Sequence, residues 1–441
     1  MSEPLIHSRR TFLQRSLALL STSATVPVFL DQTAWALDDR GSPLSGRREA
    51  EKILVVLQLA GGNDGLNTII PYRDDHYYQA RPRLAVARDA LLRLTDEIGL
   101  HSAATGMKKL FDDGLLAIVQ GVGYPNPNRS HFASTDIWAT GDPAGRQHEG
   151  WLGRYFDCTC KGSDPVEPGR GIAITQESPL AMQGRRFSPV TFGQPDELAW
   201  RPAGQDPSRQ DAFDQLNDMT GKTASSAVRT GKSALQYLRR SAMDARASAD
   251  EIQDAIGTSR QSRRRGMSRR KQNDRGGGLA AELEMVHRMI VAGLPTKVYY
   301  VSFGGFDTHA GQVGRHQRLL GELATALEGF VTSLKKDGLL DRVLLMTFSE
   351  FGRRVAENGS QGTDHGTAAP LFVIGGAVRA GMHGKHPSLS PNELDQGDLR
   401  WAVDFRSIYG TILKDWLDTD PQRIISGNVH RTELFKSTAR G

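Results

Sequence analysis

Residues 53–65 have the sequence Ile-Leu-Val-Val-Leu-Gln-Leu-Ala-Gly-Gly-Asn-Asp-Gly, and this stretch decides the fold class. The run Ile53–Leu59, rich in leucine and β-branched residues, predicts a strand buried on both faces, which is typical of a parallel sheet. A glycine-rich turn follows at once and carries Asn63 and Asp64. In α/β proteins, ligands bind beyond the carboxyl ends of such strands. The stretch therefore predicts an α/β fold with functional residues directly after the strand.

Similar apolar runs recur along the chain, with helical patterns between several of them. The runs are residues 115–119, 298–303, 343–348 and 371–374. Amphipathic patterns predict helices over 279–291 and 317–337, and residues 404–416 are predicted to form a helix capped by Asp404. This alternation predicts a mostly parallel central sheet flanked by helices.

The N-terminus has the features of an export signal. Arg9 and Arg10 precede Phe-Leu, an apolar stretch covers 17–30, and Ala34-Trp35-Ala36 offers small residues for a signal peptidase. This order predicts a twin-arginine signal peptide over residues 1–36. We therefore expect a periplasmic or secreted protein whose partner during export is the twin-arginine translocase. The apolar stretch is too short and too polar for a stable membrane span.

The remaining chain divides into a short linker and one large domain. Residues 37–52 predict the linker, and 53–441 predict an α/β domain with a polar insertion, partly helical or disordered, at about 200–278. The basic run 259–275 within the insertion is typical of an exposed loop, with binding of an anionic partner as the alternative. The formal net charge is only +5, from 55 Lys and Arg against 50 Asp and Glu, so no nucleic-acid partner is expected. Two cysteines exclude a disulfide-rich scaffold and a cysteine-based zinc site.

Carboxylates and imidazoles stand next to several of the predicted strands. The candidate metal ligands are Asp64, Asp307, His309, Glu350 and His365. Asp307 and His309 are two residues apart, so on extended backbone they point to the same side. Oxygen and imidazole ligands suit a divalent cation, with zinc as the first choice and manganese or calcium as alternatives. The pattern predicts one or two such ions at one edge of the sheet.

Each of these residues also has a purely structural interpretation. An Asp that follows a strand commonly caps a helix, which applies to Asp64. Glu350 can instead pair with Arg353 or Arg354. The joint pattern favours the metal site, because every element places its ligand at the same sheet edge.

A second cluster of polar residues follows the run 115–119. The Pro/Asn-rich segment 124–128 predicts a turn, and Ser130 stands where the next helix would begin. Ser130 is therefore either a helix cap or a nucleophile activated by a metal and by the positive end of that helix. Arg129 beside it is suited to clamp a tetrahedral oxyanion. The sequence contains no Gly-x-Ser-x-Gly elbow around Ser130, and it has no Walker loop, H-E-x-x-H motif or dinucleotide fingerprint.

The order of these motifs resembles a known family. The motifs are Gly-Gly-Asn-Asp-Gly-Leu-Asn-Thr (61–68), Arg-Ser-His-Phe (129–132) with Trp138, Gly-Gly-Phe-Asp-Thr-His (304–309), Ser-Glu-Phe-Gly-Arg (349–353) and Gly-Thr-Asp-His-Gly (362–366). Together they resemble the twin-arginine-exported bacterial proteins grouped as domain of unknown function 1501. That family is similar to the alkaline phosphatase superfamily, which includes sulfatases and cofactor-independent phosphoglycerate mutases. The resemblance implies an alkaline-phosphatase-like three-layer sandwich.

The superfamily resemblance also implies a two-metal hydrolase. Asp64 would match the first-strand metal ligand, and Ser130 would match the nucleophile, although a slip of one residue would put His131 there instead. Asp307 and His309 would match the Asp/His pair on the other metal, which the superfamily usually spaces more widely.

The matches at the end of the chain include one departure. His365 would match the last metal-binding His, whereas Glu350-Phe351 occupies the place of an Asp-His pair. Glu350 can ligate but Phe351 cannot, which implies a single metal, a different metal or a decayed site. Arg129 or Arg353 would balance the negative charge of the transferred group.

Two functions remain open from the sequence. The first is an exported metal-dependent hydrolase whose substrate is an anionic phosphate or sulfate ester. The second is a non-catalytic periplasmic binding or assembly protein that retains the fold with a degenerate metal site, which Phe351 and the basic run 259–275 favour. A redox protein is disfavoured, because the sequence has no haem, iron–sulfur or molybdenum ligand pattern.

Overall fold

A computed structural model describes residues 51–159, 168–198, 249–257, 278–427 and 430–436. The predicted signal peptide, most of the linker 37–52, most of the insertion at 200–278 and the basic run within it lie outside these residues. The division into signal, linker and domain therefore stays a prediction. No helix in the described ranges combines the length and the apolar character that crossing a membrane requires.

A nine-stranded mixed sheet forms the centre of the described part of the chain. The strands are β1 (Ile53–Leu59), β2 (Ile69–Ile70), β3 (Leu91–Arg93), β4 (Gly99–His101), β5 (Leu116–Gly123), β6 (Gly171–Ile174), β7 (Val190–Phe192), β8 (Val298–Phe303), β9 (Val343–Phe348), β10 (Ala369–Ile374), β11 (Gly381–His383) and β12 (Val403–Asp404). The large sheet has the order β11-β5-β10-β9-β1-β8-β6-β7, with β12 also paired to β5, while β2, β4 and β3 form a small separate sheet.

Helices connect these strands and cover the large sheet. The α-helices are α1 (Gly65–Thr68), α2 (Asp75–Ala80), α3 (Thr105–Asp112), α4 (His131–Thr140), α5 (Trp151–Thr159), α6 (Leu279–Val291), α7 (Gln312–Lys336) and α8 (Phe405–Thr411). Short 3-10 turns cover Pro168–Arg170, Leu180–Met182, Pro195–Leu198, Leu340–Arg342, Pro391–Glu393 and Pro421–Arg423. The predicted cap is confirmed, because the Asp404 side chain accepts a hydrogen bond from the Arg406 N–H at 2.9 Å. Beyond α8 the chain continues as a π-helix, Ile412–Trp416.

Two apolar layers bury the two faces of the large sheet. On β1, Val55 and Leu57 pack into a cluster with residues of α3, α6 and α7, whereas Leu54 and Val56 pack into a cluster with residues of α4, α5 and α8. Successive side chains of a strand point to opposite faces, so a strand covered on both sides must be apolar throughout. The predicted α/β fold, with a mostly parallel sheet flanked by helices, is confirmed.

Strand β10 is the exception to the parallel arrangement. It runs antiparallel to both of its neighbours, β5 and β9, whereas β1, β6, β7, β8 and β9 run parallel to one another. The residues that precede β10 therefore lie at the same edge as the residues that follow β1, β5, β8 and β9. This reversal brings the segment that contains His365 to the edge where the other candidate ligands stand.

Candidate metal centre

The loops at this edge approach one another closely, and glycines permit the approach. Gly61 and Gly62 follow β1 with φ values of +114° and +77°, which residues with a side chain rarely adopt. A Cβ on Gly61 would overlap the backbone at Asp307, and a Cβ on Gly62 would overlap the ring of Phe351. The loop after β1 can therefore lie directly against the loops after β8 and β9.

Three of the predicted ligands meet in a tight triangle. The Nε2 atoms of His309 and His365 lie 2.9 Å apart, and Asp307 Oδ1 lies 3.0 Å from the first and 3.2 Å from the second. All three side chains keep between 20% and 45% of their surface exposed. The triangle is therefore open to a ligand from solvent.

A third imidazole faces the other oxygen of the same carboxylate. The Nε2 atom of His131, in the first turn of α4, lies 3.6 Å from Asp307 Oδ2. One potential ligand atom from each of His131, Asp307 and His365 falls within 4.8 Å of the others. We call the four residues His131, Asp307, His309 and His365 the candidate metal centre.

Each imidazole of the centre is held through its Nδ1 atom. Glu350 Oε1 lies 2.8 Å from Nδ1 of His131, and Asp364 Oδ1 lies 3.1 Å from Nδ1 of His309. The backbone carbonyl of Arg129 lies 2.8 Å from Nδ1 of His365. Carboxylates and carbonyls only accept, so each Nδ1 donates, and each neutral imidazole presents a lone pair at Nε2.

This arrangement fits a divalent cation. Metal–nitrogen bonds of about 2.0–2.1 Å place neighbouring ligand atoms roughly 2.9–3.4 Å apart, and the edges of the triangle lie in this range. Outer acceptors that fix the tautomer of a ligating His are the usual companions of protein metal sites. Without a cation or a proton between them, the lone pairs of His309 and His365 would repel each other at 2.9 Å.

The electrostatics keep the carboxylate of the centre ionised. Burial alone would raise the pKa of Asp307, but the hydrogen bond from Arg353 and the contact with His365 outweigh it and hold the pKa at about 2. The Arg353 Nη2–Asp307 Oδ1 distance is 2.7 Å. Burial lowers the pKa of His365 below its usual value, which favours the neutral ring.

Arg353 is buried, and each of its three guanidinium nitrogens donates to the protein. Besides Asp307, its guanidinium donates to the backbone carbonyls of Gly61, Gly62, Phe306 and Thr363. It thereby ties the loops after β1 and β8 to the segment before β10. The predicted charge-balancing role of Arg353 does not fit this position, because the donors that would meet a substrate are used to hold the loops.

Asp64 is placed differently from the other predicted ligands. It is fully buried, it accepts from Arg81 at 2.7 and 2.9 Å, and it caps α1 through the Asn67 N–H at 3.3 Å. Gln312 Nε2 also donates to it. A carboxylate offers about four lone-pair positions, and these contacts use them. The capping interpretation of Asp64 therefore describes its position, and its carboxylate has no free lone pair for a metal.

Glu350 and Phe351 are buried and contact the imidazoles of the centre. Glu350 is buried, and the Oε1 atom that accepts from His131 also accepts from the Gly61 N–H at 2.8 Å. The buried ring of Phe351 packs against the rings of His131 and His365, with centroid distances of 4.9 and 4.4 Å. Phe351 therefore orients two imidazoles, which gives a physical role to the residue that departs from the superfamily pattern.

Ser130 and Arg129 lie directly before His131. Ser130 occupies the N-cap position of α4 and is exposed, but its hydroxyl makes no capping hydrogen bond. The Arg129 guanidinium Nε donates to Asp398 Oδ2 at 2.8 Å, while its carbonyl holds His365. Both residues thus border the candidate metal centre, and their catalytic roles stay predictions.

His131 is the member of the centre that the sequence motifs did not indicate as a metal ligand. They pointed to it only as the alternative match to the nucleophile. A usable signal was present, since a His in the first turn of a helix that follows a strand lies at the same edge as the other candidates.

The chain belongs to the DUF1501 family, described as a protein of unknown function, whose profile matches residues 51–433. The resemblance stated from the motifs is thereby confirmed at the level of the family. A comparison with curated proteins finds no significant match.

The solved structures that this chain resembles are distant from it in sequence. A sulfatase (PsFucS1) from Pseudoalteromonas sp. is 11% identical with a TM-score of 0.35, covering 96% of this chain and 77% of that one. The C-terminal periplasmic domain of EcEptC from Escherichia coli, in complex with Zn, is 9% identical with a TM-score of 0.38, covering 88% and 91%. The phosphonate monoester hydrolase SpPMH from Silicibacter pomeroyi is 9% identical with a TM-score of 0.32, covering 87% and 75%.

Proposed function

We propose that this member of the DUF1501 family is an exported, metal-dependent hydrolase of phosphate or sulfate esters. The observation that carries the proposal is the convergence of three Nε2 lone pairs, each fixed by an acceptor at Nδ1, on the ionised carboxylate of Asp307. Three imidazoles and one carboxylate suit zinc or a similar first-row divalent ion better than calcium, which prefers oxygen ligands.

The residues around the centre supply what ester hydrolysis needs. A bound divalent cation stabilises the negative charge on the oxygens of a transferred phosphoryl or sulfuryl group. The Ser130 hydroxyl, exposed at the positive end of α4, is the nucleophile. It forms a bond to phosphorus or sulfur while the ester oxygen leaves and takes up the hydroxyl proton as an alcohol. Water then releases the group from Ser130 and restores its hydroxyl.

Arg129 provides positive charge next to this nucleophile. Its guanidinium is partly exposed, with 40% of the side chain accessible, although it is tied on one side to Asp398. Positive charge near the transferred group lowers the barrier when its attraction to that group is stronger in the transition state than in the bound ester.

The first experiment is elemental analysis of the mature protein, purified from its native host without chelators or affinity metals. We expect one or two equivalents of a divalent metal in the wild type, lost in Asp307→Ala/His309→Ala. Ser130→Ala should keep its metal but lose turnover of aryl phosphates, phosphodiesters or aryl sulfates, while Ser102→Ala, a matched exposed serine, should keep both. A reproducibly metal-free wild type would contradict the proposal and favour a non-catalytic binding protein.

A further inference from the structure

Two arginines beside the candidate metal centre share one buried carboxylate. Asp398 has no exposed side-chain surface; it accepts from Arg129 Nε at 2.8 Å and from Arg354 Nε at 3.2 Å. The two arginine side chains are 40% and 39% exposed. Two guanidinium charges against one carboxylate leave a net charge of +1, and it is the arginines that face solvent.

The backbone fixes both arginines next to His365. The Arg129 carbonyl accepts from His365 Nδ1, and the Arg354 N–H donates to the Asp364 carbonyl at 2.9 Å. Each arginine is thus anchored twice, by its main chain at residues 364–365 and by its side chain at Asp398. Such pre-anchored side chains lose little conformational entropy when a ligand binds.

Each guanidinium keeps donors for a ligand. Arg129 donates to Asp398 through Nε and Nη2, and Arg354 uses Nε for Asp398 and Nη2 for the Gln396 carbonyl at 2.7 Å. Neither Nη1 atom has a hydrogen-bond partner among the described residues. Each Nη1 carries two hydrogens, so the two Nη1 atoms alone offer four N–H groups, which suits an anion with several oxygens.

A cavity with room for an organic group lies on the chain segments that carry these arginines. Its volume is about 310 Å³, and it is lined by Pro127, Thr367, Asp395, Leu399, Arg400 and Trp401. Pro127 is two residues from Arg129, Thr367 is two residues from His365, and the other lining residues surround Asp398 in the chain. The cavity therefore lies along the same loops that carry the arginines and the metal-centre histidine.

We propose that Arg129 and Arg354, held by Asp398, form an anion-binding site beside the candidate metal centre, and that the ester hydrolysed by this protein carries a second anionic group that binds there. Arg129 would then serve both the transferred group and the second anionic group, and Arg354 only the second. The identity of the ligand as part of an ester rests on the proposed function. Anion binding itself does not require turnover and can be measured separately.

The binding experiment uses inorganic sulfate as the probe and isothermal titration calorimetry on the full mature chain after chelator treatment. We expect sulfate to bind the wild type and to bind Arg354→Gln at least fivefold more weakly, because the guanidinium group and its positive charge are lost. Arg354→Lys keeps the charge and should fall between the two, which retains a test if Arg354→Gln does not fold. Arg88→Gln, which breaks an exposed pair with Asp75, is the matched control and should bind like the wild type.

The activity experiment compares phenyl phosphate with 4-carboxyphenyl phosphate on the metal-loaded protein. We expect the wild type to prefer the carboxylated ester through a lower KM, and Arg354→Gln to lose about tenfold of that preference. Equal sulfate binding by the wild type and Arg354→Gln would identify the bound sulfate as an adventitious ion only and would overturn the proposal. Sulfate binding that depends on Arg354, without hydrolysis of any ester, would support the anion-binding site and contradict the proposed function.

Discussion

The Nε2 atoms of His309 and His365 lie 2.9 Å apart, and both rings donate from Nδ1 to other groups. Two neutral imidazoles in this orientation direct lone pairs at each other, and a metal cation or a proton between them removes this repulsion. Asp307 completes the arrangement with an oxygen about 3 Å from each nitrogen.

Removal of one imidazole should therefore weaken metal binding sharply. We expect His365→Ala to lose at least tenfold in zinc affinity, because His365 contributes a nitrogen to the triangle and its Nδ1 is already oriented by Arg129. Competition titration with a chromogenic chelator measures the affinity. His76→Ala, which removes an exposed His near Asp74, is the control. Equal affinities in the two variants would remove His365 from the centre.

The support of His131 by Glu350 should be measurable without removing a ligand. Glu350→Gln keeps an oxygen for the Gly61 N–H but removes the charge that holds Nδ1 of His131. Loss of an outer carboxylate typically costs 10–100-fold in metal affinity, and we expect a loss within this range in the same titration. A variant with unchanged affinity would show that His131 does not ligate.

Asp64 and Asp307 should differ in what their replacement does. Asp64→Asn is expected to keep its metal by elemental analysis, whereas Asp307→Asn should lose it, because Asp64 is committed to Arg81. Breaking this fully buried ion pair by Arg81→Ala should lower the free energy of unfolding by about 3–5 kcal/mol. Urea denaturation checks the value against Arg88→Ala, whose exposed pair should contribute less than about 1 kcal/mol. Metal loss in Asp64→Asn alone would restore Asp64 as a ligand.

Gly62 should tolerate no side chain, because the space a Cβ needs is filled by Phe351. We expect Gly62→Ala to lower the free energy of unfolding by more than about 2 kcal/mol, from unfavourable positive φ plus overlap. Gly145 has a similar φ of +65°, and no atom lies within 4 Å of the position that a Cβ would take there, so Gly145→Ala isolates the backbone contribution of about 1–2 kcal/mol. Equal losses of unfolding free energy in the two variants would show that the Phe351 ring can move to make room for the added Cβ.

His316 should make the protein sensitive to acid. It is buried beside Asn63, and burial lowers its pKa to about 4, although the charge of Asp64 acts in the opposite direction. The unfolded chain, with an ordinary His pKa of about 6.5, therefore binds more protons between pH 6.5 and 4. Stability should be complete above pH 6.5 and fall as the pH drops towards 4, by up to about 3 kcal/mol from this group. Urea unfolding at pH 7 and pH 5 measures the fall in the free energy of unfolding between the two pH values. This fall should be smaller in His316→Gln than in the wild type, whereas the control His76→Gln should match the wild type.

Local sequence patterns predicted the parts of the molecule that depend on neighbouring residues. The apolar run of β1, the helix Leu279–Val291 and the cap at Asp404 follow from burial on two faces, helical periodicity and a short side chain before a helix. For the same reason the sequence placed Asp307, His309 and Glu350 after strands, and so at one edge of the sheet.

Tertiary structure alone decided which of these side chains meet. Glu350 and His131 are 219 positions apart, and Arg353 contacts Gly62 across 291 positions, so no local pattern specifies either contact. The reversed direction of β10 and the pairing of Asp64 with Arg81 are likewise set by the packing of whole elements. The sequence by itself thus determined the kinds of ligand and the sheet edge, because hydrophobic periodicity is local. The folded chain determined the ligand set, because hydrogen bonds and ion pairs are formed between segments that only the three-dimensional fold brings together.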